Sequence, residues 1–351
     1  MSLITLLLVG LAFSNPPAEE TTKHPAISKA SLEAAAKYNR EAGGTSFWVQ
    51  RGGKVVHKDF PNGGSPERAL ELASGTKSFS AIIAAAAVQR GILKLDEKVS
   101  DTITEWKSDR RKSQITVQHL LNLSGGLAAN HGSGGPLRQG VPSYKDAITF
   151  PTIGDPDQVF QYGPSHFQVF GELMRRKLHP EYKDPLEFLN KVVFEPAGIK
   201  HGFWRRDRDG MPHIPSGAHL TAENWAKVGQ LVLDEGKIGD EQVLDRETLR
   251  RIFRRSSTNR HYGLTFWLHQ VQVPGRKPVW AAVAAGLGDQ RMFVVPDLDL
   301  VVVRQNPRLL GGALNREREF DDGQFLNLIL GQPMGRAAAP RERNQRLRGE
   351  P

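Results

Sequence analysis

The sequence predicts an α/β fold of the α+β kind: one antiparallel sheet built from N- and C-terminal segments, flanked by helices, with a mainly helical lobe inserted between them. Three observations predict it. Short β-rich runs separated by turn signals lie near both ends of the chain. Residues from about 91 to 249 are mainly helical in texture, with long loops. Between the first strands and that lobe, residues 81–88 (AIIAAAAV) are apolar all round, the mark of a helix buried on every side. A sheet closed from the two ends leaves a cleft where it meets the inserted lobe.

Each element has its own signal. Residues 30–42 read as an amphipathic helix stopped by Gly43-Gly44. Residues 46–49 and 55–57 are strand-like around Arg51-Gly52-Gly53-Lys54, a hairpin pattern. Helical periodicity returns over 167–178 and 222–233, and a Gly-rich stretch over 125–140 reads as a surface loop. Residues 262–269, 279–285, 291–295 and 300–304 are β-rich, punctuated by Gly286-Leu287-Gly288-Asp289 and Pro296-Asp297. That short alternation of strand and turn predicts antiparallel pairing. Residues 320–330 read as a final helix, and there is no internal repeat.

The chain has 351 residues, 24% of them charged, with 47 Lys plus Arg, 38 Asp plus Glu and no cysteine. The length supports a sizeable core, and the composition is that of a globular protein. Without cysteine there are no disulfides, no Cys-ligated zinc or iron–sulfur cluster, and no thiol catalysis. The excess of +9 is partly a property of the tail, where Arg336, Arg341, Arg343, Arg346 and Arg348 face only Glu342 and Glu350. Residues 334–351 are therefore read as a disordered basic tail, and nucleic acid is not expected as a partner.

At the other end, residues 3–13 (LITLLLVGLAF) are too short for a membrane span, which takes ~20 residues, but suit a signal-peptide core. Ala12 and Ser14 offer small residues for cleavage before Asn15, although no Lys or Arg precedes the core. Residues 1–24 are assigned to signal and linker and 25–333 to the folded domain. Export to the periplasm or outside the cell is expected, with no integral span after processing and N-terminal anchoring if the segment is retained.

The chemistry centres on Ser74-Gly75-Thr76-Lys77. A Ser-x-x-Lys pair alone is weak, since it recurs by chance roughly once in a chain this long. Here it opens the buried helix. Spacing i, i+3 puts both side chains on one face. Burial and the positive helix start both disfavour an ammonium, so Lys77 is driven toward the neutral amine that can take the Ser74 proton. The Ser74 N–H at the helix start faces where an oxyanion would develop. Tyr162, on the Gly163-Pro164 turn, is a candidate proton shuttle, and Gly286-Leu287-Gly288-Asp289-Gln290 a glycine-rich turn able to bring an N–H close to a ligand. The plain alternatives are an N-capping serine with a surface lysine, a core tyrosine and an ordinary hairpin.

In order and spacing these segments resemble the serine β-lactamase and penicillin-binding-protein family, in its esterase-like, class C-like branch. Ser74-x-x-Lys77 is similar to the first family motif, and residues 115–127 (ITVQHLLNLSGGL) to the segment that follows it. Tyr162-Gly163-Pro164 stands in the place of Tyr-x-Asn. Residues 216–231 resemble a structural helix of the family. Leu287-Gly288-Asp289 falls where Lys-Thr-Gly or His-x-Gly lies, ahead of residues 293–303 (FVVPDLDLVVV). The resemblance covers about residues 30–310. It implies Ser74 as nucleophile, Lys77 as its proton acceptor, Tyr162 in proton transfer, and an oxyanion hole from the N–H groups of Ser74 and Gln290, with Gly288 and Asp289 beside the substrate. Two positions depart from the pattern. Pro164 replaces the motif Asn, and Leu287 replaces the basic or His residue that recognises a carboxylate. Turnover of β-lactams or D-Ala-D-Ala is thus disfavoured relative to a neutral ester or amide.

Other chemistries lack their patterns. There is no Gly-x-Ser-x-Gly elbow, no complete P-loop and no His-Glu-x-x-His, and His213 and His219 are split by a loop containing Pro215. No metal or organic cofactor is expected. The readings that stand are a serine hydrolase acting through an acyl-enzyme on a small ester, amide or peptide, and a non-catalytic ligand-binding protein on the same fold. Lys77 favours the first, because a binder has no need of a buried lysine beside a serine.

Overall fold

The computed structural model describes residues 27–129, 142–307 and 318–332. The apolar run 3–13, the linker after it, most of the Gly-rich stretch 125–140 and the basic tail 334–351 lie outside the described residues. The helix α1 (Lys29–Glu41) is capped by Ser28, whose hydroxyl accepts from Ser31 N–H at 3.0 Å. It leads into the hairpin β1 (Ser46–Arg51) and β2 (Lys54–Asp59). Gly52 and Gly53 take the turn at φ 54° and 70°, which a primed hairpin turn requires and glycine supplies without strain.

After the lobe the chain returns as β3 (Trp267–Val271), β4 (Val279–Gly286), β5 (Gln290–Val295) and β6 (Leu300–Gln305). The six strands form one antiparallel sheet in the order β2-β1-β6-β5-β4-β3. The first and last strands of the chain are neighbours, with Trp48 opposite Val303 and Val49 opposite Val302. Both faces of the sheet are apolar. Phe293, Val295, Leu300 and Val302 pack under α1 and the helix Asp322–Ile329, while Met292, Val294, Val301 and Val303 join the core of the lobe. Alternation with period two explains the split. In chain order the longer helices after α1 are α2 (Phe79–Gln89), α3 (Ser165–Leu178), α4 (Ala222–Leu233) and α5 (Asp322–Ile329), and shorter ones such as Val117–Leu121 and Pro185–Leu189 lie between them.

Three expectations need adjusting. The strand expected over 262–269 begins only at Trp267. Thr265 sits at φ 64° and Gly263 N–H donates to Phe266 O at 2.8 Å, so 263–266 is a tight turn that folds Tyr262 back onto Trp267. The α3 helix starts at Ser165 rather than 167, directly after Pro164. The lobe also carries short strands, Ala218–Leu220 and Phe203–Trp204, which form one sheet with Leu70–Glu71 ahead of the lobe, and Lys237–Ile238 with Glu241–Gln242 in another. Among the described residues no helix is long and apolar enough to cross a membrane.

Candidate active site

Ser74 and Lys77 lie on a 3₁₀ turn, Ala73–Ser78, that runs straight into α2. The expectation was the first turn of an α-helix. The tighter turn is held by Thr76 Oγ1 donating to Ala73 O and Ser78 Oγ donating to Gly75 O, each at 2.7 Å. With three residues per turn, side chains i and i+3 eclipse, and Lys77 Nζ lies 2.9 Å from Ser74 Oγ. The turn is wedged from three sides. Leu72 N–H donates to Ala218 O at 2.9 Å, and Ala218 N–H to Thr76 Oγ1 at 3.2 Å. Trp225 of α4 packs on Gly75, where a Cβ would come within 3.0 Å of the indole. Gly286, the last residue of β4, approaches so closely that a Cβ there would fall 2.0 Å from Leu72 O.

Lys77 is 5% exposed, and among the described residues no carboxylate pairs with it. Burial alone lowers its pKa to about 7. Its Nζ lies 3.0 Å from Pro215 O and over the rings of Tyr162 and Phe167, at 5.1 and 5.8 Å from their centroids. Tyr162 stands beside Ser74 and Trp267, and burial raises the pKa of its hydroxyl although both neighbours act to lower it. The Pro215 carbonyl can only accept, so in the neutral form of the amine a Lys77 N–H donates to it and the lone pair is left for the Ser74 hydroxyl. That is the arrangement an activated nucleophile requires.

A sequence profile described as Beta-lactamase matches residues 30–305. The chain belongs to the Beta-lactamase family. Solved structures similar to this family member share its fold at low identity. One is a candidate beta-lactamase from Bacteroides dorei, at 17% identity and TM-score 0.65, covering 78% of this chain and 88% of that one. A candidate 6-aminohexanoate-dimer hydrolase from Bacillus anthracis is 15% identical at TM-score 0.65, with coverages of 91% and 83%. The hydrolase EstCE1, with promiscuous acyltransferase activity, is 15% identical at TM-score 0.66, with coverages of 86% and 98%. No curated protein matches the chain.

Within this Beta-lactamase-family fold, Ser74, Lys77 and Tyr162 are brought into mutual contact. Gly288 and Asp289 form the tip of the β4–β5 hairpin at φ 78° and 60°, and the Asp289 carbonyl accepts from Arg304 at 2.7 Å. Gln290 lies opposite Gly286 in the ladder, with its buried side chain bonded to the backbone of Asn306. The strand residue that abuts the Ser74 turn is Gly286. Leu287, next to it, is 65% exposed and presents no charge. Pro164 forms the N-terminal cap of α3, where its lack of an N–H costs nothing. Sequence reasoning passed over Trp267 and Pro215 as parts of this site. Trp267 was legible only as a strand residue, and Pro215 acts through its backbone carbonyl, which leaves no side-chain signature. The Gly286–Gln290 turn was expected beside a ligand, but not the contact of Gly286 with the Ser74 turn. Among the described residues no group of three His, Asp or Glu is placed to hold a metal ion.

Proposed function

We propose that the protein is a serine hydrolase that cleaves a neutral, largely apolar ester or amide through an acyl-enzyme on Ser74. The observation that carries this is the buried amine of Lys77, 2.9 Å from Ser74 Oγ, with no acid to hold its proton. Ser74 gives its proton to Lys77 as Oγ attacks the substrate carbonyl carbon. The oxyanion that forms is met by the Ser74 N–H and by the backbone of the turn from Gly286 to Gln290. The Lys77 ammonium then returns that proton, by way of Tyr162, to the leaving oxygen or nitrogen as the carbonyl re-forms, so that both groups end as they began. In deacylation water gives a proton to Lys77 as it attacks the ester carbonyl, and Ser74 takes that proton back as the acid departs.

The surroundings of the serine support a neutral substrate. Leu287 stands where a carboxylate-binding residue would, and Tyr162 continues into an aromatic cluster. Its ring lies 5.3 Å from that of Trp267, which lies 6.1 Å from Phe160 and 5.1 Å from Tyr262. Such a wall favours apolar acyl or leaving groups over charged ones. Export rests on residues 3–13 and is proposed with the same reading.

Labelling with a fluorophosphonate and, separately, with a fluorescent penicillin, followed by peptide mapping, tests the assignment. Attachment at Ser74 by the phosphonate alone is the expected result. Attachment by neither reagent overturns the enzymatic reading and leaves a binding protein. A p-nitrophenyl ester series should show KM rising in Trp267→Ala, most for the longest acyl chains.

A further inference from the structure

We propose that Arg205, His213 and Ser216 are positioning residues for the Lys77 amine: they fix the Pro215 carbonyl so that the neutral amine donates one N–H to it and presents its lone pair to Ser74. The inference rests on reading Ser74 as the nucleophile. A neutral amine has two N–H bonds and one lone pair, free to rotate about the last bond of the side chain. Around Nζ stand the Pro215 carbonyl at 3.0 Å, the Ser74 hydroxyl at 2.9 Å and the faces of Tyr162 and Phe167. The carbonyl can only accept, and a ring face carries negative quadrupole and also prefers N–H. Of these neighbours only Ser74 can donate to the lone pair. The direction of the amine is therefore set by where the carbonyl is held.

Pro215 sits in a segment pinned at both ends. The Arg205 guanidinium donates to Ser216 O at 3.0 Å and to Ser216 Oγ at 2.9 Å, and reaches Glu71 at 3.2 Å. Because Arg205 occupies the acceptor side of Ser216 Oγ, the Ser216 proton goes to His213 Nδ1, 3.0 Å away. His213 is buried and faces the Arg205 guanidinium, so burial first and that charge next keep it neutral, with its pKa lowered to about 3, and Lys77 adds to this only when its amine is protonated. A neutral ring with its proton on Nε2 is what that hydrogen bond needs. Backbone bonds close the loop: His213 N–H to Arg205 O at 2.8 Å, Gly217 N–H to His213 O at 2.7 Å and Arg205 N–H to Gly217 O at 2.9 Å. On the other side the Tyr144 hydroxyl donates to Pro212 O.

Ser216→Ala removes the hydroxyl that joins Arg205 to His213 while leaving the backbone free to keep its course. With a neutral p-nitrophenyl ester, kcat is expected to fall about tenfold with KM unchanged within about twofold, because ground-state binding does not depend on the amine's orientation. Fluorophosphonate should still label Ser74 stoichiometrically, but about tenfold more slowly. Ser216→Thr, which restores the hydroxyl, should restore kcat. Wild-type kcat and labelling rate in Ser216→Ala, or a rise in KM with kcat intact, would overturn the inference. If Ser216→Ala does not accumulate as folded protein, Arg205→Gln is read against the same split, and wild-type kcat there counts equally against it. Absence of any label on wild-type Ser74 would instead remove the underlying reading.

Discussion

Lys77 Nζ lies one 3₁₀ turn from Ser74 Oγ, at 2.9 Å, with its amine buried and without a counter-charge. On the proposed mechanism the reactive form is the neutral amine, and its share grows as pH rises through about 7. The rate constant for acylation should therefore rise about tenfold per pH unit below that value and level off above it. Ser74→Ala should abolish turnover, and Lys77→Met should lower kcat/KM by about 10²–10⁴-fold. A pH–rate profile of kcat/KM checks this, and an acid limb that is flat in the wild type contradicts the role given to Lys77.

The same burial makes Lys77 a cost to the fold. In the unfolded chain its amine titrates near 10.4, whereas in the native protein burial brings it to about 7. Between those values the unfolded state binds a proton that the native state does not, so native stability rises with pH across the window and is lowest at and below neutrality. Lys77→Met fills the same space without a charge to desolvate. It should be more stable than the wild type by about 2–4 kcal/mol at pH 7, the gap closing toward pH 10. Urea unfolding at pH 7 and pH 10 measures it, and a variant less stable at both would rule the account out.

The fold was legible because its signals are periodic and local: the all-apolar run of α2, the two-glycine hairpin after β1 and the β-rich C-terminal third each predict their element. The failure at Tyr262 to Phe266 has a physical cause. The apolar and β-forming residues there read as strand, but Gly263 is crowded by Ile252 O, where a Cβ would fall 2.0 Å away, and the chain turns instead. At the site, the Ser74 and Lys77 pairing follows from spacing along one turn. The Pro215 carbonyl lies 138 residues from Lys77, and Gly286 meets Leu72 across more than 200. Tertiary folding alone brings them together, and neither contact needs a particular side chain.

Two buried histidines should set the acid limit of stability. His166 lies on α3 with both ring nitrogens buried and unpartnered, and burial, with the charge of His119 adding to it, lowers its pKa to about 3. His213 is lowered to about 3 by burial, Arg205 and Lys77. As pH falls below about 6.5, the unfolded chain takes up a proton that each native ring refuses. Stability is thus lost from about 6.5 down toward 3, at about 1.4 kcal/mol per pH unit for each ring. His166→Leu should remove about 2 kcal/mol of the loss between pH 6.5 and 5, as measured by urea titrations at the two values. An unchanged pH dependence in that variant would refute the assignment.

Gly286 is where the sheet and the nucleophile turn touch, and a methyl group there should report on both. The added Cβ would lie 2.0 Å from Leu72 O and 3.1 Å from Gly75 N, both backbone atoms that cannot swing aside. Either β4 or the 72–75 turn must move, and Ser74 rides on that turn. Gly286→Ala should destabilise by about 1–3 kcal/mol, the usual cost of overpacking, and should also slow phosphonylation of Ser74 in the molecules that remain folded. Gly53→Ala is the contrast. At φ 70° it meets nothing within 4 Å, so it should cost about 1 kcal/mol of left-handed strain with no effect on labelling per folded molecule. If the two variants lose stability to a similar degree and label Ser74 at the same rate, the close approach of β4 has no part in positioning the serine.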